Sequence, residues 1–76
     1  MIIVIGTQGC RPCERLKNAL RTAGIDFVYY DESEPRAVVL LKRYDAEGGP
    51  FPAVFKDDRM LPPMTKGEYL RSLRGF

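Results

Sequence analysis

The sequence predicts an α/β domain in which one mixed sheet of four strands carries three helices, in the order β-α-β-α-β-β-α. Three observations lead there. A β-branched run, Ile2-Ile3-Val4-Ile5, is followed by a segment of helical periodicity and then by a second apolar run, the signature of a strand-helix-strand unit with parallel strands. A second helical segment leads to two short apolar runs across a polar turn, which reads as a hairpin. A capping sequence then opens a last helix. Residues 1–76 are one small domain, long enough for one sheet with helices on its faces.

Each element has a local reason. The first run is expected to be a strand buried on both faces, and Gly6-Thr7-Gln8-Gly9 breaks it. A helix is expected from about Pro12, since proline suits a first turn. Leu16, Ala19, Leu20 and Ala23 recur at helical spacing, and Gly24 is a natural stop. Ile25 to Tyr30 reads as the second strand. Asp31-Glu32-Ser33-Glu34-Pro35 carries capping residues, acids and an early proline. Ala37, Leu40, Leu41 and Tyr44, with Val38, supply one face of that helix, and Gly48-Gly49 is expected to end it. Phe51 to Phe55 is the third strand, Lys56-Asp57-Asp58-Arg59 the turn, and Met60-Leu61 the return strand stopped by Pro62-Pro63. Thr65-Lys66-Gly67-Glu68 has capping-box form, with Tyr69, Leu70 and Leu73 turned inward.

Composition narrows the function classes. Basic and acidic residues number 12 and 10 and are mixed along the chain, which gives no support for a nucleic-acid or membrane surface. The longest apolar run, Met1 to Ile5, is far short of the roughly 20 residues of a membrane span and lacks the flanks of a signal peptide. A cytoplasmic, reducing compartment and a monomer are expected. There, two cysteines point to catalysis or metal binding rather than to a structural staple.

Cys10-Arg11-Pro12-Cys13 carries that chemistry. Thiol–disulfide exchange needs two thiols in reach of each other: one attacks a substrate disulfide, the other releases the product. A thiol at a helix N-terminus is favoured as the thiolate, and Arg11 adds positive charge. Cys10 is therefore the expected nucleophile and Cys13, inside the first turn, the resolving thiol. The rival is metal binding. Structural zinc takes four ligands, and the chain has no His and no third Cys. A soft-metal (copper) carrier or an iron–sulfur module shared between chains would use the same pair. Placement after a strand in a strand-helix-strand unit favours redox chemistry. Pro52 is the second clue, because a proline opening a short apolar strand cannot donate to the ladder. Residues alone leave the Phe51–Pro52 bond open between cis and trans. Arg11, Arg15 and Lys17 make a solvated helix face that can help hold an acidic partner. Tyr29, Tyr30 and Tyr44 are expected in the core or at its rim, and Thr7 and Gln8 are given no role.

With Cys10-Arg11-Pro12-Cys13 after an apolar strand and Pro52-Ala53-Val54-Phe55 about forty residues later, the chain resembles the glutaredoxin family within the thioredoxin-like fold. The resemblance covers nearly the whole chain. It implies a disulfide oxidoreductase with a redox-active Cys10–Cys13 disulfide and no bound cofactor. It implies that Pro52 is cis opposite Cys10, and that the Phe51 backbone pairs with an extended protein disulfide substrate. Arg11, Pro12, Phe51, Pro52, Met64 and Thr65 are the candidate substrate-binding residues, and no metal-ligating set is assigned. Glutaredoxins usually carry Gly-Gly where this chain has Pro62-Pro63, which removes two N–H donors. The amides of Met64 and Thr65 remain to receive a glutathione carboxylate. Two external reductants follow from the resemblance, glutathione or thioredoxin reductase, each drawing on NADPH. An electron donor to ribonucleotide reductase is one such relative.

Overall fold

The structure, a computed structural model, describes residues 1–74. Its elements are β1 (Ile2–Gly6), α1 (Arg11–Thr22), β2 (Val28–Asp31), α2 (Pro35–Arg43), β3 (Ala53–Lys56), β4 (Arg59–Met60) and α3 (Lys66–Leu73). One four-stranded sheet runs in the order β2-β1-β3-β4. β1 pairs parallel with β2, Ile3 opposite Val28, and antiparallel with β3, Val4 opposite Val54. β4 closes the hairpin with Phe55 opposite Met60. The predicted architecture and element order are those observed. Among the described residues, no helix is long and apolar enough to cross a membrane.

Alternation along β1 sends successive side chains to opposite faces and so builds two cores. Val4 packs with Leu16 and Leu20 of α1, Tyr69 and Leu73 of α3, and Val54. Ile5 packs with Ala37 and Leu41 of α2, and with Ala46, Ala53 and Phe55. Thus α1 and α3 cover one face and α2 the other. Leu20, fully buried, contributes about 1.5–3 kcal/mol by leaving water.

Boundaries differ from expectation where backbone hydrogen bonds are already committed. α1 starts one residue early, at Arg11, because Cys10 itself is the N-cap. Its end is as predicted: Gly24, at φ +71°, donates to Arg21 O while Ile25 donates to Leu20 O, a Schellman closure. That commitment of the Ile25 N–H explains why β2 begins at Val28 instead of Ile25. α2 stops at Arg43, well before Gly48-Gly49. Asp45 takes the left-handed conformation at φ 53°, and Asp45 and Ala46 donate back to Lys42 O and Leu41 O. An aspartate does here what glycine usually does. The cap at the other end of α2 is also different, since Glu34 is the N-cap without a side-chain capping bond. Its carboxylate accepts the Asp31 N–H at 2.7 Å instead. Tyr44 is 38% exposed rather than inward, its ring tilted against Phe55 at 5.5 Å. β3 begins at Ala53 because Pro52 has no N–H for the ladder. Asp57 and Asp58 both have positive φ, the pattern of a type I′ turn, so pairing resumes already at Arg59. Leu61 lies beyond β4 but still donates to Val54 O at 2.8 Å.

Candidate functional site

The thiol pair stands where β1 turns into α1. Gly9 has φ +72°, a conformation costly for any other residue, and lets the Cys10 N–H reach Thr7 O at 3.3 Å. Cys10, extended at φ −86° and ψ 102°, then caps the helix with its sulfur, which accepts the Cys13 N–H at 3.1 Å. Cys10 and Cys13 form a disulfide with Cα atoms 5.3 Å apart. Cys10 is half-buried and Cys13 is 0% exposed. The N-terminus of α1 therefore leaves one cysteine partly exposed, at the wall of a concavity, and hides the other. When the bond opens, the Cys13 N–H and the helix dipole favour negative charge on the exposed one.

Around this pair the candidate residues divide. Pro12, Pro52, Met64 and Thr65 line one groove of about 200 Å³. Arg11 lies on the other side of Cys10, in a larger concavity of about 610 Å³ with Thr7, Gln8 and Tyr29. Phe51 contributes its backbone: its carbonyl oxygen is 3.9 Å from Cys10 Sγ, while its side chain packs on the α2-side core. The Phe51–Pro52 bond is cis, as is Gly49–Pro50. Met64 is partly core, and the Ser72 hydroxyl donates to its sulfur at 3.7 Å. Thr65 completes a capping box: its hydroxyl accepts the Glu68 N–H at 3.2 Å and its own N–H donates to Glu68 Oε1 at 3.0 Å. The Thr65 amide, expected to await a substrate carboxylate, is thus already held by a carboxylate of the chain. Those bonds to Thr65 hold Glu68 below the usual carboxylate range. Among the described residues, no three His, Cys, Asp or Glu side chains gather as a metal cage.

Sequence reasoning missed Tyr29. Its hydroxyl end lies over Gly6, where a Cβ would collide with the phenol oxygen and stand 3.1 Å from Cys13 Cβ. Lys17 Nζ sits 4.0 Å from the Tyr29 ring centroid and 2.8 Å from Glu14 Oε2. Burial pushes the Tyr29 phenol above its ordinary value, opposed by the Lys17 charge. The available signal was Gly6 itself, a residue without a side chain ending an otherwise β-branched strand. Gly6→Ala is expected to cost about 1–3 kcal/mol through overpacking, read as a lowered urea midpoint. Adding Tyr29→Phe, which removes the struck hydroxyl, should return part of that loss. An unshifted midpoint for Gly6→Ala would show that the contact is loose.

No protein-family model and no curated protein sequence matches the chain. Solved structures do, among them two of one thioredoxin-like protein. A point variant of the thioredoxin-like protein BC3987 is similar with a TM-score of 0.77 and 25% identity, over 99% of this chain and 100% of that one. The thioredoxin-like protein BC3987 itself is similar with a TM-score of 0.74 and 25% identity, over 96% of this chain and 99% of the other. The fold is thioredoxin-like. In that fold, the disulfide-bonded pair at the head of α1 supports a thiol–disulfide redox role.

Proposed function

We propose that the protein is a dithiol reductant of protein disulfides, with Cys10 as nucleophile and Cys13 as resolving thiol. The observation that carries this reading is the asymmetry of the pair: Cys10 is half-buried, lines an open concavity and takes the Cys13 N–H on its Sγ at 3.1 Å, whereas Cys13 is wholly buried. In the reduced protein the Cys10 thiolate attacks one sulfur of a substrate disulfide. A Cys10–substrate bond forms and the first substrate thiolate leaves. The Cys13 thiolate then attacks Cys10 Sγ, closing the Cys10–Cys13 bond and releasing the second substrate thiolate. Two electrons pass to the substrate, and two must return from NADPH through an external thiol system.

Pro62-Pro63 and the engaged Thr65 amide leave few donors for a glutathione carboxylate. This supports thioredoxin reductase over glutathione as the reductant. Ribonucleotide reductase is one target of suitable chemistry, and a monomer in a reducing cytoplasm is the setting we propose. The test is insulin-disulfide reduction followed through NADPH absorbance, with thioredoxin reductase in one arm and glutathione plus its reductase in the other. Faster turnover is expected in the first arm. Turnover in neither, starting from fully reduced protein, would remove the redox reading.

A further inference from the structure

The groove that holds Pro12, Pro52 and Thr65 beside the disulfide continues away from it. A second concavity of about 540 Å³ runs on between α1 and α3, and Arg15 and Lys66 line both. Asn18 extends the α1 wall three residues beyond Arg15, on the same helix face. Leu70 and Arg74, four and eight residues beyond Lys66, extend the α3 wall. Ala19 and Ala23 are small, so a chain lying there can come close to the helix backbone.

The charges along this path are of one sign. Arg15, Lys66 and Arg74 line it, and no carboxylate lines either concavity. Across Cys10 the situation is different: that concavity carries Glu14 and Asp31, and Lys17 is held there by Glu14 and Tyr29. The helix face expected from the sequence as Arg11, Arg15 and Lys17 is therefore divided: Arg11 and Lys17 line only that concavity, whereas Arg15 stands on the ridge between it and the α1–α3 groove and lines both. Arg15, Lys66 and Arg74 form no ion pair among the described residues. Three exposed cations gathered along one groove create a local field that attracts and orients an oppositely charged chain.

Resting on the redox reading above, we infer that the α1–α3 groove docks an acidic, extended stretch of the protein substrate flanking its disulfide. A polypeptide is the polyanion indicated, because one end of the groove is formed by Pro12, two residues from Cys10, and by Pro52, whose neighbour Phe51 has its carbonyl 3.9 Å from Cys10 Sγ, and the chemistry of Cys10 requires a disulfide there. Arg15, Lys66 and Arg74 pair with substrate carboxylates, while Pro12 and Pro52 border the segment next to the reacting sulfur. The field acts mainly on encounter, so selectivity appears in kcat/KM and falls with salt.

The experiment uses the full chain and three disulfide peptides that differ only in flanking residues, rich in Glu, Gln or Lys. At low salt the Glu peptide is expected to exceed the Gln peptide about tenfold in kcat/KM, and the advantage should disappear near about 0.5 M salt. The double variant Lys66→Glu, Arg74→Glu should turn the preference toward the Lys peptide. Equal kcat/KM for all three peptides overturns the inference and leaves the redox reading standing. An acidic preference that survives the double variant also overturns it, since the recognising cations would then lie elsewhere. No exchange with any peptide, nor with neutral hydroxyethyl disulfide, removes the redox reading and this inference together.

Discussion

Cys10→Ser is expected to bring disulfide turnover down to the uncatalysed rate. A serine hydroxyl at the head of α1 keeps the capping acceptor but cannot form the mixed disulfide through which exchange proceeds. Loss of activity should therefore come without loss of fold. Cys13→Ala is expected to behave differently. It keeps the exposed nucleophile and removes the thiol that would displace the substrate, so a covalent adduct on Cys10 accumulates and is visible by mass spectrometry. Alanine is the better replacement here, because Cys13 is fully buried and a serine hydroxyl there would need a partner. If the Cys10→Ser protein is the one that traps substrate, the assignment of roles is reversed.

Phe55→Ala should be the most damaging single change to stability, at about 3–5 kcal/mol. The ring is 1% exposed on β3, between β1 and β4. It packs with Ile5, Ala37 and Leu41 and has Tyr44 tilted against it. A domain of 76 residues sits toward the lower end of the ordinary range of about 5–15 kcal/mol. Losing the ring should leave little cooperative unfolding at ambient temperature, as urea titration followed by circular dichroism would show. A midpoint close to that of the parent would mean that the α2-side core collapses around the gap far more readily than its packing indicates.

Much of this was legible because the decisive signals were local. Ile2 to Ile5, Gly24, and the Thr65–Glu68 capping box each act within a few residues, and each forms the element expected of it. The ends that moved were set by competing local bonds of less obvious residues. Asp45 ends α2 through a conformation that glycine usually supplies, so Gly48-Gly49 drew the eye instead. The site was legible in part for the same reason. Cys10 and Cys13 announce themselves by spacing. The proximity of Gly6, Tyr29 and Cys13 depends on how β1 lies beside β2 and under α1, and the Arg15–Lys66 groove joins residues some fifty positions apart. Neither has a counterpart in any short window of the chain.

The central place of β1 has a consequence for the nascent protein. Its parallel neighbour β2 is complete by Asp31, but its antiparallel neighbour begins only at Ala53. As the chain leaves the ribosome, both thiols and a strand-helix-strand unit emerge while one edge of β1 still lacks its partner. That edge closes through contacts of long sequence separation, the kind that form late because loop closure must come first. The same stretch of chain brings the Phe51 carbonyl to Cys10. The Phe51 side of the thiol site and the second partner of β1 are thus supplied together, and the cysteines gain that neighbour only when β3 docks.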